Sequence, residues 1–258
     1  MLRLVEKWAK QAAHEVQEYV YLTGSAFTSI FSRPFYRHDV VEQFDLIGFG
    51  SLTVVLLAGL FTGAALASQT GLTLDQFGAR PVVGRLVSAS MIKELGPVLT
   101  ALMLTGRVGS GIAAEIGSMA VTDQINALRA LGRDPVRKLV VPRVLAGIFM
   151  APVLTVISDF IGILGGWAVA RYQLQVSSSL YWASITKGLY MEDVWMGLTK
   201  PFVFGFLIAT IACHVGLRTS GGTAGVGKAT TLSVVAGSVA VIAADFFVTQ
   251  LFVGLVYR

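Results

Sequence analysis

Charge is scarce in this chain. Asp, Glu, Lys and Arg make up 14% of its 258 residues, where a soluble domain carries roughly 25%. Hydrophobic residues make up 54% and mean hydropathy is +0.70. This combination excludes an ordinary soluble domain and points to a membrane protein. Cysteine is nearly absent: Cys213 stands alone, which excludes an intrachain disulfide and a cysteine-built metal site. The three histidines (His14, His38 and His214) lie far apart and suggest no ligand cluster. No metal or cofactor is therefore expected in the chain. No group of carboxylate, histidine and nucleophile stands together as an enzyme would need. Net charge is +5, and no nucleic-acid partner is expected.

Residues 1–20 also lack the apolar core of a cleavable signal and mix both charge signs. What they hold is a helical pattern. Leu4, Val5, Trp8, Ala12, Val16 and Val20 recur on one face, with Glu6, Lys7, Lys10, Gln11, His14, Gln17 and Glu18 on the other. This predicts an amphipathic helix in the membrane surface, the alternative being a helix packed on a partner. Residues 1–40 form this interfacial segment, and 41–258 the membrane domain.

A spanning helix needs about 20 mostly apolar residues. No charge occurs between Asp45 and Asp75, which places span one at 46–69. The others are expected at 84–112, 144–170, 195–217 and 230–256. Span two is interrupted by Arg85, Lys93, Glu94 and Arg107. These runs are much longer than the roughly 10-residue segments of a membrane barrel, so the fold is all-α. With five spans, Arg3, Lys7, Lys10, Arg33 and Arg37 share a side with the basic 107–143 stretch, Arg218 and Lys228. Arg80, Arg85, Arg171, Lys187 and Arg258 fall on the other. The positive-inside rule puts the N-terminus in the cytoplasm and the C-terminus outside.

The stretch GGTAGVGKATT, 221–231, nearly spells a nucleotide-binding P-loop. Such a loop lies between a strand and a helix, and its Ser/Thr hydroxyl binds magnesium. Here Ala229 follows Lys228, the preceding segment is a span, and no strand ending in Asp stands nearby. ATP binding is not expected. A glycine-rich cytoplasmic turn entering span five is, with Lys228 near lipid phosphates or an acidic partner.

Charges inside spans are candidate functional groups, since each costs at least about 2.5–3.5 kcal/mol on insertion scales and must face the interior or pair. Lys93 and Glu94 are adjacent, so they point about 100° apart on a helix and cannot simply pair with each other. Lys200 could meet Glu94, and Lys93 a lipid phosphate; the bland alternative is an ion pair that fixes packing. That alternative is preferred for Asp159 and Asp245. Gly59 and Gly63 on span one, and Gly162, Gly165 and Gly166 on span three, mark close helix contacts. Pro97, Pro152 and Pro201 kink or start spans, and Trp167, Trp182 and Trp195 suit an interfacial belt.

Between spans two and three a short helix is expected, with Thr122 as its cap and Asp123 in its first turn. Gly132 and Pro135 stop it. Ile125, Leu128 and Leu131 are read as one apolar face, lying either in a partner's groove or back on the bundle or the lipid surface.

Three segments carry a family resemblance: KELGPVLTALMLTGRVGSGIAAEIGSMAVTDQINAL at 93–128, DPVRKLVVPR at 134–143, and the late GGTAGVGKATT. Together they resemble the MlaE/YrbE permeases, membrane subunits of ABC transporters that work with MCE-domain proteins. The resemblance runs from about residue 40 to the end. It implies a homodimeric permease in the bacterial inner membrane, with an N-terminal interfacial helix and five spans per copy. Thr122, Asp123, Gln124, Ile125, Leu128, Arg129 and Leu131 match a coupling helix that docks on a separate cytoplasmic ATPase, which uses ATP and magnesium. A phospholipid substrate is implied, in a cavity facing a periplasmic ring of MCE subunits. Lys93, Glu94 and Lys200 match charged positions near it. Arg107, Glu115 and Lys228 fall at the cytoplasmic end, where Arg107 and Glu115 are expected to brace the coupling helix, against each other. The role implied is ATP-driven lipid movement between membranes, the kind that maintains outer-membrane lipid asymmetry. The alternative is a stand-alone ion-coupled transporter, with Lys93, Glu94, Lys200, Asp159 and Asp245 as a relay.

Overall fold

The computed structural model describes residues 2–30 and 36–256, with side chains from residue 10 onward except 11, 12 and 256. All its regular structure is helical among those residues. An N-terminal helix, Leu2–Ile30, comes first. Among the described residues, five helices are long and apolar enough to cross a membrane. Span one is Arg37–Asp75, span two Arg80–Val121, span three Val136–Tyr172 and span four Met191–Leu217. Span five lies within the helix Gly222–Val256. A short helix, Gln124–Ala130, joins spans two and three. A connecting helix, Ser178–Gly188, joins spans three and four.

Each span outruns its expected limits at one end or both. At 1.5 Å per residue, the 39 residues of span one reach about 58 Å, against a hydrocarbon core of about 30 Å. The helices therefore continue into the interfacial layers. The late glycine-rich stretch is also helical. The chain turns at Gly221 and Gly222, whose φ values of 88° and 67° suit glycine, and the helix begins at once. The expected turn over 221–231 is thus confined to its first residues. An extended backbone cradle for phosphate does not form there.

Spans one and three lie along each other, and their glycines meet. Gly59 faces Ser158, Gly63 faces the carbonyl of Gly162, and Gly165 faces that of Leu60. A Cβ at Gly63 would overlap Gly162, so small residues set the separation. This suits a membrane, where close van der Waals packing takes over from water exclusion. Gly147 and Gly205 do the same between spans three and four. Span four is the best-buried span and span five the least. At the far end, the Ser177 hydroxyl caps the connecting helix by accepting from the Leu180 amide. Tyr181 is fully buried there and donates to Ile163 O at 2.9 Å. Burial raises the pKa of its hydroxyl above the usual value.

Candidate functional site

Span two is not a regular helix. At Met91–Leu95 it widens into a π turn, in which the Gly96 amide bonds Met91 O five residues back. Such turns recur at functional sites. Pro97 follows and has no N–H, so a carbonyl one turn earlier loses its helical donor. Span four supplies a substitute, as Lys200 Nζ donates to Lys93 O at 2.9 Å. A Cβ at Gly197 would overlap Ile92 O, so glycine is what lets span four come this close.

Lys200 is completely buried. Its ammonium lies 2.6 Å from Glu94 Oε2 and 2.8 Å from Asp245 Oδ1. It donates to Glu94 Oε2 and to Lys93 O, while Asp245 Oδ1 is an ion-pair contact without a hydrogen bond. Thr249 adds a hydroxyl 3.3 Å from Glu94 Oε1. One lysine of span four thereby ties span two to span five. The Lys200–Glu94 contact is the one the sequence suggested. Asp245 is a full member of this network.

Lys93 points elsewhere, as its helical phase requires. Its Nζ is 2.6 Å from Asp193 Oδ1, a carboxylate of the chain itself. Asp193 is 2% exposed and sits in the first turn of span four, where a negative charge suits the helix dipole. The Tyr190 amide also donates to it, at 3.3 Å. Sequence reasoning missed Asp193 because span four was expected to begin at 195. Two lysines thus face three carboxylates across spans two, four and five.

Residues 40–251 match the family model described as Permease MlaE. The chain belongs to the MlaE permease family. It is 41% identical over 248 residues to a probable ABC transporter permease protein of Rickettsia conorii, covering 96% of each chain. It is 36% identical over 216 residues to the intermembrane phospholipid transport system permease protein MlaE of Haemophilus influenzae, covering 83% of each. Similarity extends to the chloroplastic protein TRIGALACTOSYLDIACYLGLYCEROL 1 of Arabidopsis thaliana, at 32% identity over 90% of this chain and 66% of that one. The chain is an ABC transporter permease subunit.

At the short helix between spans two and three of this MlaE permease, two expectations change. Thr122 does not cap the short helix: its hydroxyl donates back to Ser118 O at 2.8 Å, closing span two. Asp123 takes the N-cap position in a left-handed conformation, φ 58°, and accepts from the Asn126 side chain. The apolar face also divides. Ile125 is 5% exposed within the core, Leu128 packs against it, and Leu131 is 74% exposed. Steps of three residues drift about 60° each around a helix, so Leu131 stands about 120° from Ile125. Gln124 and Arg129 are exposed as well.

Arg107 and Glu115 line one cleft of about 330 Å³ but do not pair with each other. Arg107 reaches span one, donating to Ser51 Oγ at 2.9 Å and Leu46 O at 3.4 Å. Glu115 pairs with the buried Arg143 of span three at 2.7 Å. Both therefore tie spans together rather than bracing the short helix. Lys228 is exposed beside Arg218 and Glu15. His38, Asp39 and Glu42 bring three ligand-type atoms within 4.8 Å, but Asp39 is engaged by Lys138.

The N-terminal helix is clasped onto the bundle. Arg218, just past span four, lies 2.8 Å from Glu15 and 2.6 Å from Glu18. Tyr19 and Thr210 share a hydroxyl contact at 2.8 Å, and Ala26 enters the core. Val16 and Val20 face outward, 62% and 61% exposed. The side chains of Leu4, Val5, Trp8 and Ala12, the rest of the expected apolar face, lie outside the described residues.

Proposed function

We propose that this chain is the membrane subunit of an ATP-driven lipid transporter in a bacterial inner membrane, with its N-terminus in the cytoplasm. Two copies form the pathway. A separate ABC ATPase binds ATP and magnesium and docks on the outward side of Thr122–Leu131. An MCE-domain ring on the periplasmic side exchanges phospholipid with the cavity. The observation that carries this reading is the likeness to a relative named for intermembrane phospholipid transport, extending over 83% of the chain.

A mechanism follows from this reading. The short helix is continuous in packing with spans two and three through Ile125, so a push on it moves those helices together. Lys93, Glu94 and Lys200 then serve as the polar joint of the lipid cavity. Lys93 and Glu94 are 31% and 40% exposed, which leaves room for a headgroup to exchange against their internal partners. The ion-coupled alternative is less favoured, since five spans do not divide into two equal halves.

The test is docking. Ala127→Asp with Leu131→Asp changes exposed residues alone. The reading expects at least about tenfold weaker ATPase binding and a parallel loss of ATP-driven lipid transfer, with thermal stability unchanged. Full transfer by a stably folded double variant would sink the docking assignment.

A further inference from the structure

Asp159, on span three, takes no part in the Lys200 network. It is 9% exposed, and its Oδ1 has no hydrogen-bond partner. No ion pair reaches it among the described residues; the neighbouring cations are occupied, Lys93 by Asp193 and Lys200 by Glu94 and Asp245. A Cβ at Gly96 would overlap Asp159 Oδ1, so the glycine makes room for this carboxyl. A buried carboxyl with no donor is costly, most of all at membrane depth.

The same residue lines a crevice of about 220 Å³ between spans two, three and four. Its walls are Ile92, Val156, Phe160, Ile163, Val194 and Leu198. The other polar side chain there, Thr155, already donates to Ala151 O at 2.8 Å. Val156 and Phe160 are 53% and 59% exposed, so the crevice opens on the outer surface of the bundle. Water is a poor occupant, because a buried water needs about two to four polar partners. A phosphate would meet a carboxylate of like charge. Oδ1 is sealed against Gly96, so a ligand meets the carboxyl through its other oxygen. A hydroxyl both donates and accepts, so it can bond that oxygen in either proton state.

We propose that this crevice binds the hydroxyl end of a neutral, slim amphiphile that enters from the bilayer, its chain lying along the apolar walls. The site is separate from the Lys200 network and stands whether or not the chain moves phospholipid.

Photolabelling of the intact chain in lipid nanodiscs tests this. The probes are a photoreactive long-chain alcohol and its methyl ether, which cannot donate. The alcohol is expected to label peptides holding residues 155–163 or 194–198. The ether should label them about tenfold less. Asp159→Leu should remove the difference, and Asp159→Asn should retain part of it. Equal labelling by alcohol and ether in the unaltered chain would mean simple hydrocarbon filling and would overturn the proposal. Absence of label at these peptides would overturn it too. The comparison of probes needs no variant, so a folding defect in Asp159→Leu leaves the test intact.

Discussion

The ammonium of Lys200 sits 2.9 Å from the carbonyl oxygen of Lys93, beside the gap that Pro97 opens in the hydrogen-bond ladder of span two. A side chain of one helix thereby completes the backbone of another. The same ammonium pairs with both Glu94 and Asp245. Lys200→Met is expected to lower stability by about 3–5 kcal/mol, because two carboxylates lose a buried partner. Thermal unfolding in detergent measures this. Adding Glu94→Gln and Asp245→Asn should recover most of the loss; no recovery would mean that the lysine acts through packing alone.

The contact between spans one and three gives a second expectation. Gly63→Ala forces a methyl into the Gly162 carbonyl and should destabilise by about 1–3 kcal/mol. Gly111→Ala meets nothing within 4 Å and should be neutral or slightly stabilising. Equal melting temperatures for the two variants would contradict the tight packing described.

The short helix divides into a structural and a free side. Ile125→Ala removes a buried side chain and should cost about 2–5 kcal/mol. Leu131→Ala should stay within about 0.5 kcal/mol. The two unfolding curves decide whether the core side has been assigned correctly.

The clasp on the N-terminal helix is partly exposed, so it contributes about 0–1 kcal/mol. Arg218→Ala should leave the melting temperature nearly unchanged yet speed amide hydrogen exchange around residues 13–26. Raised salt should act in the same direction. Unchanged exchange in the variant would show that Tyr19 and Ala26 hold the helix by themselves.

Much of this fold was legible because the membrane imposes simple demands. The charge-free window after Asp45 could only be a span, and the glycines at 59, 63, 162 and 165 could only mark close approach. The late glycine-rich stretch misled, since glycine punctuates soluble chains but is common inside membrane helices. Span two was drawn too short because its charges are balanced by residues far away in sequence. Lys93 gives no hint of Asp193, nor Glu115 of Arg143. Such pairings are tertiary, and no local pattern announces them. The Glu94–Lys200 pair was anticipated because few charges lie deep enough to meet.

The π turns carry one more consequence. Each adds about one residue to the turn it replaces, which rotates everything beyond it by about 100°. Span two contains two of them, at Met91–Leu95 and Thr105–Gly109. A helical wheel drawn straight through this span therefore falls about 200° out of phase by its end. Deleting a single residue in either turn would leave a helix there, but one whose later side chains face the wrong neighbours.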